Sequence, residues 1–271
     1  MSTESGLLEP APRFWDLLAA EWIKLWSLRS IPWFVLLSAL AAVGVNANAA
    51  RAARAHWHSG PPPFTAHGAL QEAFSRPAAA WVLLAMGAVG AIAILSEQTT
   101  GLLRTTFCAV PARREVMTAK VLVVTAVAAV FGVLTVAASV WCDAAILYGR
   151  YTGVPLTDPV ALRITAASAV LAPLGALIGL GLGAVIRHSV ATMVTLFLLA
   201  FILPVSVTDR THLSATLTHA LPFNAWYRLT LPIAILHAPY PSTIPGAWLT
   251  FAAWAAAPAL LVLLTIPRRD Q

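Results

Sequence analysis

Few side chains in this sequence could do chemistry, and the densest group of them lies between residues 96 and 118. At about 100° per residue, a helix over 97–110 puts Glu97, Gly101 and Arg104 on one stripe. Leu103, Phe107 and Val110 fall on the opposite stripe, and Pro111 ends the pattern. Such a helix is expected to lie along the cytoplasmic face of a membrane, with its polar stripe turned to the cytoplasm and its glycine allowing close approach. As a simple solvated pair, Glu97 and Arg104 would contribute little.

Other chemistry is scarce. His56, His58 and His67 surround the proline run 61–63 and are of a type that ligates metal. They have no acidic or cysteine companions, so a solvated loop is expected and no metal ligand is assigned. Cys108 and Cys142 fall on a membrane-flanking loop and inside an apolar run, which implies no disulfide framework. There is no G-x-x-x-x-G-K-[ST], no H-E-x-x-H, no G-x-S-x-G and no paired aspartate motif. Asp143 lies in an apolar run, where ionisable groups mark proton relays. It stands about 35 Å along a helix from Lys120, which places it at the interface. No catalytic or cofactor-binding residue is expected on this chain, and a proton-driven carrier has almost no candidate groups.

The elements that hold these residues follow from composition. Of 271 residues 59% are hydrophobic and 10% charged, where a soluble domain carries about 25% charge. Mean hydropathy is +0.79. So few charges cannot clothe a soluble globule, and the expected fold class is an all-α integral membrane protein. Six runs reach the length of a spanning helix: 31–50, 78–95, 119–147, 164–186, 189–207 and 246–266. Trp33, Trp81, Trp141 and Trp248 lie near their ends, as in an aromatic belt. The whole chain reads as one transmembrane domain with both termini on one side. More Lys and Arg fall on that side, including the pairs Arg113–Arg114 and Arg268–Arg269, which makes it the cytoplasmic side of a cell membrane.

Residues 13–30 read as an interfacial amphipathic helix. Trp15, Leu18, Trp22, Leu25 and Trp26 recur at helical spacing, with Asp16, Lys24 and Ser27 opposite and Arg29 at the end. Acidic Glu4, Glu9 and Asp16 do not suit a cleavable signal peptide. The segment 208–245 is too apolar for a free loop. Leu213, Leu217, Ala220 and Leu221 make one helical face and prolines interrupt the rest, so short external re-entrant helices are expected. Gly175, Gly179 and Gly183 form small-xxx-small repeats suited to close helix packing, within the chain rather than at a dimer seam. The net charge of +6 sits at span ends rather than in a basic stripe, so no nucleic-acid partner is expected.

Two stretches carry a family likeness. Glu21-Trp22-Ile23-Lys24-Leu25-Trp26-Ser27-Leu28-Arg29-Ser30 resembles the segment that leads into the first span of type-2 ABC exporter permeases. Glu97-Gln98-Thr99-Thr100-Gly101-Leu102-Leu103-Arg104-Thr105-Thr106, followed by Ala109-Val110-Pro111-Ala112-Arg113-Arg114, is similar to the loop between that family's second and third spans. The resemblance implies a permease subunit without its own ATPase, paired with a second copy or a related permease and with cytosolic ABC ATPase subunits that hold ATP and Mg²⁺. The 97–110 segment would then be the coupling helix, with Glu97, Gly101, Arg104 and Thr105 at the ATPase interface. The apolar walls suit a hydrophobic or amphipathic cargo: a drug, antibiotic, peptide or lipid. Two other readings compete. One is a membrane-embedded enzyme or structural protein of lipid metabolism. The other is a secondary carrier, which needs inverted repeats and midplane polar groups that are not visible.

Overall fold

Apolar runs in lipid must satisfy their own backbone, and a helix is the local way to do so. The computed structural model describes residues 13–56, 70–71, 73–110, 112–147, 157–207, 211–231 and 240–269. Among them there is helix and connecting turn but no strand. The helices are α1 (Phe14–Ser27), α2 (Ser30–His56), α3 (Arg76–Thr100), α4 (Leu102–Ala109) and α5 (Arg113–Ile146). They continue with α6 (Pro159–Ile186), α7 (Ser189–Ser206), α8 (His212–Ala220), α9 (Pro222–Thr230) and α10 (Ile244–Arg269). Six of these, α2, α3, α5, α6, α7 and α10, are long and apolar enough to cross a membrane. All six expected spans are present, each within a few residues of its predicted range.

Local chemistry sets several boundaries. Asp158 caps α6 by accepting hydrogen bonds from the Val160 and Ala161 amides, and Pro159 takes the first helical position. Arg187, in the left-handed region at φ 55°, ends that helix. His188 then starts α7, its Nδ1 accepting from the Ala191 amide. The last part of α7 passes through a π-helical turn at Leu198–Ile202, just before Pro204. Proline has no amide to donate and crowds the carbonyl four residues back, and the widened turn accommodates both.

The bundle is built round α3 and α6. In their most apolar stretches 78% and 67% of residues are buried, against 22% in α2, α7 and α10. These two helices run parallel at backbone contact: Gly175 faces Leu83, Gly179 faces Gly87, and Gly183 faces Ala91 and Ile94. A Cβ added at Gly179 would lie 1.8 Å from the Gly87 carbonyl oxygen, and one at Gly90 would lie 1.9 Å from that of Ala176. The repeat glycines thus meet another helix of the same chain.

Polar contacts tie the outer helices on. At one end Asn46 of α2 donates Nδ2 to Ser139 Oγ of α5 and accepts from both the amide and the hydroxyl of Ser75. At the same end α9 packs inward through Phe223, Trp226 and Leu229, and Trp226 Nε1 donates to Ser168 Oγ. Leu213 and Leu217 of α8 instead point outward, 73% and 56% exposed. Short helices, as expected before the last span, are formed here, two in number among the described residues. The side chain of His56, and the whole of His58 and His67, lie outside the described residues.

Candidate functional site

At the opposite end, three charged side chains are buried against one another and a fourth, Lys24, reaches them from the surface. α1 buries Leu17, Glu21 and Leu25, one residue per turn on a single face. Glu21 therefore enters the protein in the middle of an apolar stripe. Glu97 comes from the last turn of α3, and Lys120 from the second turn of α5. Glu21 and Glu97 are each 4% exposed and Lys120 is 2% exposed.

Lys120 Nζ donates to Glu21 Oε2 and, at 2.8 Å, to Glu97 Oε1. Lys24 Nζ donates to Glu21 Oε1 at 2.7 Å and stands 3.4 Å from Glu97 Oε1. Two ammonium groups and two carboxylates thus form one neutral knot joining α1, α3 and α5. Charges this deeply buried persist only when paired and hydrogen-bonded. A cavity of about 170 Å³ adjoins the knot, between Ser96, Thr100 and Leu102.

Burial pushes the Lys24 ammonium down, but the hydrogen bond and charge of Glu21, with Glu97 behind it, outweigh that and hold it above the ordinary lysine value of 10.5. A raised lysine pKa means that the folded state keeps a proton the unfolded chain releases. The stabilisation from Lys24 is therefore full below pH 10.5 and falls as pH climbs through the raised folded value. Melting of detergent-solubilised protein should lose this increment only above pH 10.5, and Lys24→Met should remove that part of the alkaline decline. An equal decline in the variant would disprove the linkage.

Beside the knot the chain breaks sharply. Gly101 adopts φ 72°, in the left-handed region, and ends α3 at Thr100. An eight-residue helix, α4, follows and buries Leu103 and Phe107. The Arg113 guanidinium lies 5.3 Å from the Phe107 ring centroid, which links α4 to the start of α5. The helix expected over 97–110 is thus two helices meeting at a joint. Glu97 is the last buried position of α3, Gly101 is the joint, and Arg104 and Thr105 belong to α4. Because the left-handed residue redirects the chain, Glu97, Gly101 and Arg104 do not share a stripe. Glu97 turns inward to the lysines, and the side chain of Arg104 lies outside the described residues.

The outward surface of α4 carries Leu102, Thr105 and Cys108. Thr105 donates its hydroxyl to the Leu102 carbonyl within its own helix. A cleft of about 540 Å³ runs from Glu97 to Leu103 and across to Arg187. Glu97 Oε2 and both polar atoms of the Gln98 amide are buried along it without a hydrogen-bond partner among the described residues.

The helix that leads into the first span keeps two of its tryptophans outside, as an interfacial helix would, and packs on the bundle by another side. Trp15 and Trp22 are 77% and 50% exposed, so the tryptophan side looks outward and the Leu17–Glu21–Leu25 side packs inward. Trp26 is half-buried, 5.5 Å from the Trp22 ring, Arg29 is exposed, and Lys24 turns into the charge knot. Asp143 is buried in the protein towards the far end of α5. Sequence reasoning missed the knot. The signal was the spacing of Glu21, four residues from both Leu17 and Leu25.

Six spanning helices, a lipid-ready apolar exterior and charges gathered at the helix ends decide the class. This is a multi-pass integral membrane protein. Comparison with known protein-family models and with curated protein sequences finds no match.

Proposed function

We propose that this membrane protein is the permease subunit of a type-2 ABC exporter. It would form the substrate passage together with a second permease and be driven by separate nucleotide-binding subunits. The observation that carries the reading is α4, a short amphipathic helix between the second and third spans, held by Leu103 and Phe107 and presenting Leu102, Thr105 and Cys108 outward. The segment resembles the coupling helix of that family. The Gln98 amide and Glu97 Oε2 beside it, without a partner among the described residues, give a docked subunit buried hydrogen bonds to complete.

In this reading α1 and α4 face the cytoplasm, both termini are cytoplasmic, and α8 and α9 lie on the outer side of the cell membrane. ATP and Mg²⁺ belong to the partner, and this chain is a non-catalytic transport subunit. The charge knot would pass the push of a closing ATPase from the α3–α4 joint to α1 and α5. The cargo would be hydrophobic or amphipathic.

Cys108 supplies the test, because it is exposed on α4 while Cys142 is only partly so. Tagged chain purified from its native membrane should bring down a P-loop ATPase, and Cys108 should react with an impermeant maleimide only after that subunit is stripped away. Thr105→Trp should leave the chain folded yet abolish both the co-purification and the ATP-dependent export. Transport by the purified chain alone, down a proton gradient, would sink the proposal.

A further inference from the structure

The end of the bundle remote from the charge knot carries arginines with no acidic partner among the described residues. Arg76 opens α3 and is exposed, and its guanidinium carbon lies 3.8 Å from the centroid of the Tyr227 ring. Arg228 follows on α9 and donates Nε to the Ser242 carbonyl at 2.7 Å. That bond fixes the side chain, while its terminal nitrogens have no partner among the described residues. Both arginines line one cleft of about 700 Å³ between α3, α7 and the α8–α9 pair. Ala80, Phe201, Pro204 and Phe223 make its apolar wall, and no carboxylate lines it among the described residues.

We propose that this cleft binds an anionic amphiphile, with a phosphate or carboxylate head held by Arg76 and Arg228 and an aliphatic body along the apolar wall. The volume falls in the range of ligand pockets, about 300–1,000 Å³. Two guanidinium forks match the oxygens of such a head, and charge-assisted bonds there are the strong kind. The site is also built in advance. Stacking on Tyr227 orients Arg76. Arg163 of α6 donates Nε to the Leu229 carbonyl and Nη2 to that of Leu231, which pins the end of α9 against the bundle. A neutral head leaves the arginines unpaired, and a zwitterionic head brings an ammonium against two guanidinium groups, with no carboxylate among the described lining residues to receive it. An inorganic anion leaves the apolar wall unused. The assignment rests on this cleft alone and not on the transport reading.

The test uses the full chain in dodecyl maltoside, with dodecyl phosphate as probe and thermal melting and native mass spectrometry as readouts. Dodecyl phosphate should bind with one copy per chain and raise the melting temperature. Dodecylphosphocholine and inorganic phosphate at the same concentration should not. Arg76→Gln should weaken binding about ten-fold, the effect of losing one charge-assisted hydrogen bond. Arg76 donates no hydrogen bond to the backbone among the described residues, so this variant should elute as wild type does. Arg76→Gln/Arg228→Gln should abolish binding. Excess phosphatidylglycerol that displaces the probe identifies a bilayer lipid as the occupant. Failure to displace it identifies a smaller free amphiphile, and either result keeps the assignment. Equal binding of dodecylphosphocholine, or unchanged binding in a folded Arg76→Gln variant, overturns it.

Discussion

Replacing Lys120 by methionine is expected to destabilise the protein by about 3–5 kcal/mol, because it leaves two carboxylates buried without their shared counter-ion. Lys120 is the only side chain hydrogen-bonded to both Glu21 and Glu97 among the described residues. Lys24, partly exposed, reaches mainly Glu21. Removing the three most buried charges together, with the partly exposed Lys24 left to water, gives the opposite outcome. The triple variant Glu21→Gln, Lys120→Met, Glu97→Gln should recover to within about 1 kcal/mol of wild type, as hydrophobic or neutral replacements of buried ion pairs generally do. Unfolding in mixed detergent micelles measures both. A Lys120→Met variant as stable as wild type would show that the knot is not closed in solution.

The second large effect is expected at Gly179. An alanine Cβ there would sit 1.8 Å from a backbone oxygen of α3, which cannot swing aside as a side chain can. The two central helices must then separate, at a cost of about 3 kcal/mol, the upper end for overpacking a well-packed site. Gly44 on the outward part of α2 is the control, since nothing lies within 4 Å of a Cβ added there. Gly44→Ala should be neutral or stabilising by up to about 1 kcal/mol, as for any glycine relieved inside a helix. Equal unfolding midpoints for the two variants would contradict the close approach of α3 and α6.

The spans were legible because twenty apolar residues in lipid have only one way to satisfy their backbone. The short helices after residue 208 were legible for a related reason: prolines cut an apolar segment into pieces too short to cross. Gly175, Gly179 and Gly183 announced close packing, though only the three-dimensional register shows that Leu83, Gly87 and Ala91 face them. The charge knot was harder to see. The tryptophans of α1 point to the membrane interface and say nothing of the narrow Leu17–Glu21–Leu25 side that packs on protein. Lipid accepts Trp15 and Trp22 on the outside, so apolar character alone does not say which side packs on protein. Gly101 could be read as a point of close approach or as a left-handed joint. Only its φ of 72° separates the two. The cleft at the other end depends on Arg76 and Arg228, which are 152 positions apart in the numbering and meet through Tyr227.

The knot also imposes an order on biogenesis. Glu21 and Lys120 are separated by 99 positions along the chain, and synthesis at about 5–20 residues per second spaces their emergence by about 5–20 s. During that interval Lys24 is the only one of the knot's two cations yet made, and a Glu21 lacking Lys120 would favour the aqueous headgroup region over the bundle. The arrival of the third span then supplies the missing ammonium and draws α1 into place. Docking of the first helix is thereby delayed until half of the spans have been made. A nascent chain stalled before Lys120 emerges would present α1 free, its tryptophans in the interface and its acid in water.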